Sequence, residues 1–546
     1  LGRSLAGVCM YRFAWALVLL LGIAPPVLAD VQLPDLFSDH MVLQRQMKVS
    51  IWGTAQPGEK VRLTFAGQSK TAVAGADGHW RIELDAMEAS AEPREMTIAA
   101  ANTIVLRDVL VGEVWVGSGQ SNMEMAVYEY PRAAEAAAAI ADNPLLRFNG
   151  WRDARKDAAT GPTTWVVSTK DTAPHCSALL YFFGAKLQKE LGVPVGLIPR
   201  AVGGTASGPW CPHEAFEAAP ACMAGLKKYA DGFPAVQEAY ERRVEEVRKH
   251  NATTKPGEKP MRYPYAPKQP TTRGMGIGSL YRGMIEPCIP YAVRGVAWDQ
   301  GESGSGVINL SQYDLMRVLI GGWRKAWGRT AADMPFVIVQ KPSGGGWTWS
   351  PDKVGRDGKP SKQPKLPDDP NLIPGDRGSG YGREHYQKLA DLPNVGMANS
   401  MDLGGGTHPA DKDAYGQRAA DVALGMVYAK DAPWQTPRFE SITAQGNKLA
   451  IKFHAVRKGL CLAPYAQKLE GFAVAGEDRK FVWAEAKITG KDTVEVWADA
   501  VPKPVAVRYA WAGSPKWATL FTTDGLPVWT FRSDDWPPAP VDDKKP

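Results

Sequence analysis

The chain has 546 residues, a hydrophobic content of 44% and a formal net charge of +6. This length exceeds one ordinary domain and predicts two or three, and the hydrophobic content supports a real core. The charge is small for the length, and the basic residues form no dense block apart from one lysine-rich loop. Nucleic acid is therefore not expected as a partner.

The first apolar run lies near the N-terminus, in the stretch MYRFAWALVLLLGIAPPVLAD. One arginine precedes about a dozen apolar residues, and small residues lead to an exit at Ala29, which is typical of a secretory signal peptide. We expect a start at Met10 and a signal peptide over 1–29. A membrane anchor is the alternative, but the run is short and Pro25-Pro26 interrupt it. No second run reaches membrane length, so we expect a secreted or periplasmic protein without stable membrane insertion.

Residues 30–110 have the pattern of a small β domain. The segment KVSIWGTAQPGEKVRLTF predicts two short strands around a Pro-Gly turn, and DGHWRIELDAM predicts a turn followed by an alternating strand. Since no convincing helical stripe occurs here, a small β-sandwich is expected.

Residues 111–432 alternate between strands and helices. Helical stripes begin at Leu180, Leu315 and Ala419, and the predicted strands lie at 111–116, 193–198, 292–298, 335–340 and 394–399. Such alternation predicts an α/β fold with a parallel sheet that is covered on both faces. The carboxyl ends of its strands form the functional edge.

Two insertions interrupt this region, and a second β-rich region follows it. The insertions lie at 211–275, with an amphipathic helix and a Pro-rich run, and at 343–382, which is rich in Gly, Pro and Lys. Loops of this length are usually functional or disordered. Residues 433–546 predict a C-terminal β domain and tail, read as a second small sandwich.

Five cysteines follow the expected start, namely Cys176, Cys211, Cys222, Cys288 and Cys461. The number is odd and none forms a C-x-x-C pair, so neither a zinc site nor a redox motif is indicated. Cys211 and Cys222 are close enough in sequence for a bridge in an oxidising compartment, but the sequence does not establish one.

The stretch VGSGQSNMEM places Ser121 directly after a buried strand. Small and amide side chains at that position are typical of an α/β enzyme site, although they also suit a simple turn. The α/β-hydrolase elbow requires glycine where Met123 stands, which disfavours that family. A serine nucleophile also needs a base to take its proton.

His408 is the strongest candidate for the base. It lies in DLGGGTHPADK, after a predicted strand and before the last helix, at the same sheet edge as Ser121. The alternative is a solvated loop histidine that caps the helix.

Two further loops follow strands. WDQGES carries Gln300 and Glu302, an amide and a carboxylate that can bind an oxyanion and orient an imidazole, although a helix-capping turn would look similar. AVGGTASGPW carries Gly203 and Gly204, whose backbone N–H groups can face an anion. Together the four loops predict an acyl-transfer site.

The chain resembles the sialate O-acetylesterase family of secreted carbohydrate acetylesterases, in the wider SGNH-hydrolase group. The resemblance covers nearly the whole mature chain and is carried, in order, by LFSDHMVLQR, WVGSGQSNMEM, AVGGT, AWDQGES, HPADKDAYGQRAA and VRYAWA with GLPVWTFRSDDW.

The resemblance implies a three-layer α/β/α sandwich with accessory β domains, and no metal or cofactor. It implies Ser121 as nucleophile and His408 as base. The oxyanion hole would comprise the N–H of Ser121, a glycine N–H from Gly203 or Gly204 and the amide of Gln300.

One position departs from the family pattern. SGNH enzymes commonly carry Asp three residues before the histidine, where this chain has Gly405. Glu302 is therefore the first choice to orient His408, with Asp402 and Asp299 as alternatives.

The expected substrate is an acetylated sugar held by aromatic side chains, with candidates Trp210, Trp298 and Trp347. Core packing is the other explanation for these three. An anionic sugar would favour an arginine clamp, for which Arg200 and Arg383 are candidates. The competing functions are a non-catalytic carbohydrate-binding protein on a degenerate SGNH fold and an esterase for longer acyl chains. Neither the sugar nor the oligomeric state follows from the sequence.

Overall fold

The computed structural model describes residues 30–140, 142–150, 164–255, 257–300, 303–340, 366–370, 379–403, 408–409, 411–464, 466–512, 515 and 517–537. The predicted signal peptide, Glu302, Trp347 and Gly405 lie outside these ranges.

The N-terminal region is built of short strands with alternating burial, as the sequence predicts. In β3, for example, Val61, Leu63 and Phe65 are buried while the residues between them are exposed. The strands are β1 (Val42–Gln44), β2 (Val49–Thr54), β3 (Lys60–Phe65), β4 (Gln68–Val73), β5 (His79–Leu84), β6 (Ser90–Ala99) and β7 (Thr103–Gly119).

Strand β7 joins the N-terminal region to the central sheet. Its first half pairs antiparallel with β6, with Ile104 opposite Ile98. From Val109 to Gly119 every residue is buried, and from Glu113 onward the strand pairs parallel with its neighbours in the central sheet. The predicted domain boundary at residue 110 therefore falls inside one continuous strand of 17 residues.

The central sheet has the parallel arrangement that the alternating pattern predicts. Its order is β13-β12-β11-β7-β10-β8-β9, and each neighbouring pair is parallel except β8 and β9. The further strands are β8 (Asn143–Asn149), β9 (Trp165–Ser168), β10 (Val195–Ala201), β11 (Gly295–Asp299), β12 (Phe336–Val339) and β13 (Val395–Ala398).

The helix Ala178–Leu191 begins and ends at capping residues. Ser177 accepts a hydrogen bond from the N–H of Leu180 at the start of α3, which ends at Gly192 in the left-handed conformation. The α-helices are α1 (Ser121–Glu124), α2 (Pro131–Ala138), α3 (Ala178–Leu191), α4 (His213–Glu217), α5 (Pro220–Thr253), α6 (Gln312–Ala326), α7 (Ser379–Gln387) and α8 (Lys412–Tyr428). Single 3-10 or π turns lie at Val127–Glu129, Ala173–His175, Gly208–Trp210, Tyr281–Ile285, Glu286–Cys288 and Lys388–Asp391.

Helices pack on both sides of the sheet. Helices α3 and α8 share a core with Trp115, Leu197 and Val337 of the sheet. Helix α6 packs into a different core with Trp298 and Phe336. Alternate residues of each strand thus enter separate cores, as expected for a parallel sheet that is buried on both faces.

The C-terminal region is antiparallel. Two four-stranded sheets, β14-β15-β20-β19 and β18-β17-β21-β23, share one core, and β16 pairs with β22. The strands are β14 (Arg438–Gln445), β15 (Lys448–His454), β16 (Leu460–Leu462), β17 (Phe472–Ala475), β18 (Val482–Trp483), β19 (Glu485–Ile488), β20 (Thr493–Trp497), β21 (Ala506–Tyr509), β22 (Leu520–Thr522) and β23 (Phe531–Arg532).

The structure also bears on two questions raised by the sequence, a disulfide bridge and a membrane-spanning segment. Cys211 and Cys222 are free, buried thiols, so the candidate bridge between them is not formed. Across the parts of the chain that the structure describes, no helix is long and apolar enough to cross a membrane.

Candidate active site

Ser121 lies in a turn that forms where β7 meets the end of β11. The N–H of Gln120 donates to the carbonyl of Asp299 at 2.9 Å. A Cβ atom on Gly119 would lie 2.0 Å from that carbonyl oxygen, and the φ of Gly119 is +134°. Only glycine fits so close an approach in that conformation, so Gly119 is what allows the chain to turn directly into the short helix α1 at Ser121.

His408 contacts Ser121. The Nε2 atom of His408 lies 2.8 Å from the Oγ of Ser121, although 287 residues separate them in the chain. With Nε2 unprotonated, the serine hydroxyl donates to the imidazole, which is the geometry of a general base and its nucleophile. The sequence predicted both residues, because each follows a strand that ends at this edge.

The loop after β10 brings Gly203 and Gly204 beside the serine. A Cβ on Gly203 would lie 3.4 Å from the Cβ of Ser121 and 2.7 Å from a carboxylate oxygen of Glu124. The N–H of Gly203 donates to that same oxygen at 2.7 Å. Glu124 thereby holds the glycine loop against the serine turn, a contact that was not predicted from the sequence.

Two backbone donors remain available near the side chain of Ser121. Among the described residues, the N–H groups of Ser121 and Gly204 donate to no acceptor. Since the N–H of Gly203 is bonded to Glu124, Gly204 is the better candidate of the two glycines for an oxyanion hole.

Gln300 requires a correction. Its side chain is fully buried, and its Nε2 donates to the carbonyls of Thr205 and Gly304 at 3.3 and 3.2 Å. Its Oε1 accepts hydrogen bonds from Ser207 and Gln312. Both amide hydrogens are therefore engaged, and in this geometry Gln300 connects two loops instead of offering a donor to an oxyanion.

Of the three candidates to orient His408, the structure describes two. Asp402 is bound by Arg418, whose Nη1 and Nη2 donate to its two oxygens at 2.5 and 3.0 Å. Burial alone would lower the pKa of Arg418, but the Asp402 carboxylate outweighs that effect and the pKa is raised. Asp402 thus belongs to an ion pair with α8. Asp299 is fully buried at the end of β11, where its carbonyl accepts from Gln120.

The predicted aromatic sugar contacts also need correction. Trp210 and Trp298 are fully buried and pack edge to face, with ring centroids 6.3 Å apart. Trp298 also packs edge to face on Trp323. Side chains without exposed surface cannot contact a sugar, so both belong to the core. Their proximity to the loops in sequence could not distinguish the two roles.

The two candidate arginines differ in their surroundings. Arg200 lies near the carboxyl end of β10, and its guanidinium donates to the side chain of Asn149 at 2.6 Å. Arg383 lies on α7 and is 5% exposed. Neither has the exposed guanidinium fork that a clamp for an anionic sugar would need.

A second unpredicted contact joins the segments that carry Ser121 and His408. Lys412, four residues after His408, is fully buried and donates from Nζ to the Oδ1 of Asn122, the residue after Ser121. In the sequence, Lys412 is only the last residue of HPADK, and a charged residue on the surface of the following helix would give the same pattern. Within the described residues, no group of three or more His, Cys, Asp or Glu side chains could hold a metal ion.

The chain is similar in sequence to proteins named sialate O-acetylesterase. No protein-family model matches the chain. It is 25% identical over 552 residues to the sialate O-acetylesterase of Rattus norvegicus, covering 91% of this chain and 93% of the relative. It is 25% identical over 525 residues to the sialate O-acetylesterase of Homo sapiens, covering 88% and 87%.

A solved structure matches along most of the chain. The crystal structure of a carbohydrate acetylesterase from Xanthomonas citri superposes with a TM-score of 0.70 at 27% identity, covering 93% of this chain and all of that one. Together these likenesses identify the chain as a carboxylic ester hydrolase. Over most of its length it is similar to sialate O-acetylesterases, the family that its sequence motifs resemble.

Proposed function

We propose that the protein is a serine O-acetylesterase that releases acetate from acetylated sugars through an acetyl-enzyme. The observation that carries this proposal is the 2.8 Å contact between Ser121 and His408 at the carboxyl edge of a parallel sheet. The relatives named above, a sialate O-acetylesterase and a carbohydrate acetylesterase, supply the substrate class. The proposed fold type is the SGNH sandwich.

The proposed reaction begins with proton transfer. Nε2 of His408 takes the hydroxyl proton of Ser121 while Oγ attacks the acetyl carbonyl carbon. The carbonyl oxygen becomes an anion, and the N–H groups of Ser121 and Gly204 stabilise it because they have no other acceptor among the described residues. The protonated His408 then gives its proton to the sugar oxygen, so the ester bond breaks and the sugar leaves with its hydroxyl restored.

The second half releases acetate. Water attacks the acetyl-serine while His408 accepts a water proton, and the second tetrahedral intermediate then collapses as His408 returns that proton to the Oγ of Ser121, so acetate leaves and the serine hydroxyl is restored. Glu302 remains the proposed partner of the imidazole, because Asp402 is bound by Arg418. Its carboxylate would fix the tautomer and stabilise the imidazolium as it forms.

The test compares short and long acyl groups. The enzyme should hydrolyse p-nitrophenyl acetate and show little turnover of the octanoate, and Ser121→Ala should abolish both activities. Preference for octanoate would identify a longer-chain esterase, and folded wild type without ester turnover would favour a carbohydrate-binding protein. Acetate release from a panel of acetylated sialosides, xylan, xyloglucan and pectin would then name the sugar.

We also propose that the protein is exported, on the pattern of residues 1–29. N-terminal sequencing of the protein from secreted and periplasmic fractions tests this. A mature terminus near Asp30 is expected, and an uncleaved terminus in the cytoplasm would contradict export.

A further inference from the structure

Lys412 is a buried lysine in the middle of the proposed catalytic machinery. It is the first residue of α8, and no part of it is exposed. Its Nζ lies over the ring of Tyr415 at 4.6 Å and over that of Tyr130 at 5.2 Å, and it donates to Asn122. Asn122 is fully buried as well. The contacts of the lysine thus include two aromatic rings and one amide oxygen.

A lysine in such a position is costly. Removing an ammonium group from water is unfavourable unless partners replace the lost hydration, and an apolar side chain of similar volume is often as stable or more stable there. Both rings belong to an apolar core that also contains Met123 and Ala419, so the surroundings of the lysine are largely apolar. Core packing alone therefore does not account for a lysine.

The bond from Lys412 joins the two segments that must meet for proton transfer. Lys412 follows His408 by four residues, and Asn122 follows Ser121 directly. The turn around Asn122 is also held from α3, since the Oγ of Ser177 donates to the carbonyl of Met123 at 2.6 Å. A displacement of the serine turn of about 1 Å can cost roughly a hundredfold in rate, because the reacting atoms leave their productive separation.

We propose that Lys412 is a positioning residue that acts through Asn122 and keeps the Ser121 hydroxyl within reach of His408. This inference rests on the proposed function, in which Ser121 is the nucleophile. Lys412 does not contact the ester. Its effect is on the reactivity of the serine and not on substrate affinity.

The first test is Lys412→Met, which keeps the length and volume of the side chain. We expect kcat for p-nitrophenyl acetate to fall by about a hundredfold with KM within about twofold, since positioning affects the chemical step. The rate at which phenylmethylsulfonyl fluoride modifies Ser121, followed by mass spectrometry, should fall in parallel. Both measurements are made on protein shown to be folded by circular dichroism.

Lys186→Met is the matched control. Lys186 on α3 also holds α8, through an ion pair with Asp421 at 2.6 Å, but it lies outside the site. It should leave both rates unchanged. A general loosening of α8 would instead slow both variants alike and would overturn the proposal.

Asn122→Ala tests the same bond from the other side and serves if Lys412→Met does not fold. It should slow serine modification to a similar extent, and the double variant should be no slower than the slower single variant, because both remove one interaction. If the fold-losses of the two single variants multiply in the double variant, Lys412 does not act through Asn122. Wild-type labelling rates in either single variant would refute the proposal. If wild type itself is not modified at Ser121, the proposed function fails instead.

Discussion

Strands β7 and β10 pair from Glu113 to Gly119 of β7, and the two ends of this strand pair carry polar groups in opposite conditions. At one end, the fully buried Glu113 receives hydrogen bonds from Arg45 at 2.6 Å, from Arg294 at 2.9 and 3.2 Å and from Gln44 at 3.1 Å. At the other end, the N–H groups of Ser121 and Gly204 donate to no described acceptor. The strand pair therefore has a fully bonded carboxylate at one end and, at the other, two backbone donors without a described acceptor.

The difference teaches where stability and reactivity reside. A buried carboxylate whose oxygens are fully bonded contributes to the folded state, and it also links Arg45 of the N-terminal region to the sheet. Donors without an acceptor contribute little to folding, but they are available to a charge that develops on a bound substrate. Substitutions at one end should change stability, and those at the other should change turnover.

The largest effect is expected at the end that carries Ser121. Ser121→Ala should reduce acetyl-ester turnover by at least about a thousandfold, because the nucleophile is lost. The melting temperature should stay close to that of wild type, since the hydroxyl is partly exposed. Steady-state kinetics and thermal melts measure both quantities, and a folded Ser121→Ala protein with near-normal turnover would remove Ser121 from the mechanism.

Glu113→Gln should have the opposite profile. It leaves Arg45 and Arg294 without their counter-charge, so the free energy of unfolding should fall by about 3 kcal/mol. The kcat per labelled active site should be unchanged. Glu83→Gln is the control: the Glu83–Lys48 pair is exposed, and its loss should cost under about 0.5 kcal/mol. Urea unfolding measures each value, and equal losses in the two variants would contradict the comparison.

The same variant has a predicted pH dependence. Burial would raise the pKa of Glu113, but Arg294 and Arg45 outweigh burial and lower it below the usual 4.5. Because the folded pKa is depressed, this stabilisation is fully present above the unfolded value and is lost as pH falls through the folded value. The stability difference between wild type and Glu113→Gln should therefore be large at pH 7 and shrink below about pH 4. A difference that grows on acidification would refute the assignment.

Gln300 provides a further test of this comparison. It lies at the same sheet edge as Ser121, but its side-chain amide already makes hydrogen bonds on both its nitrogen and its oxygen. Gln300→Ala removes bonds to Thr205, Gly304, Ser207 and Gln312, so stability should fall by about 2 kcal/mol. We expect kcat to change by less than about tenfold, far below the loss typical of an oxyanion donor. Normal stability with a hundredfold lower kcat would instead return Gln300 to the oxyanion hole.

The smallest effect is expected at Glu124, which holds the glycine loop. Glu124→Ala removes the acceptor of the Gly203 N–H, and we expect kcat to fall by about tenfold as the loop relaxes. Glu124→Gln retains a carbonyl oxygen and should keep most of the activity. If Gln behaves like Ala, the carboxylate acts through its charge and not as a hydrogen-bond acceptor.

Local pattern determined much of this protein. The stripes from Leu180, Leu315 and Ala419 became α3, α6 and α8, since helical periodicity of apolar residues is set by which face is buried. Strands β12 and β13 fell within the predicted segments for the same reason, and β10 and β11 overlapped theirs, whereas β8 and β9 were not predicted. Ser121 and His408 were predicted as a pair because parallel strands end at one edge, so loops that are remote in sequence are neighbours there.

Tertiary structure alone decided which side chains use that edge. Gln300 turned inward to Ser207 and Gln312, Asp402 was bound by Arg418, and Trp298 entered the core. No spacing in the sequence distinguishes these outcomes, because the same amide, carboxylate or indole side chain can serve either in the site or in the supporting structure. The partner of each is contributed by packing between distant segments, as with Lys412 and Asn122, which are 290 residues apart. Such contacts exist only once the strands, helices and loops have assembled, which is why residue types indicated a candidate site but not the full set of contacts within it.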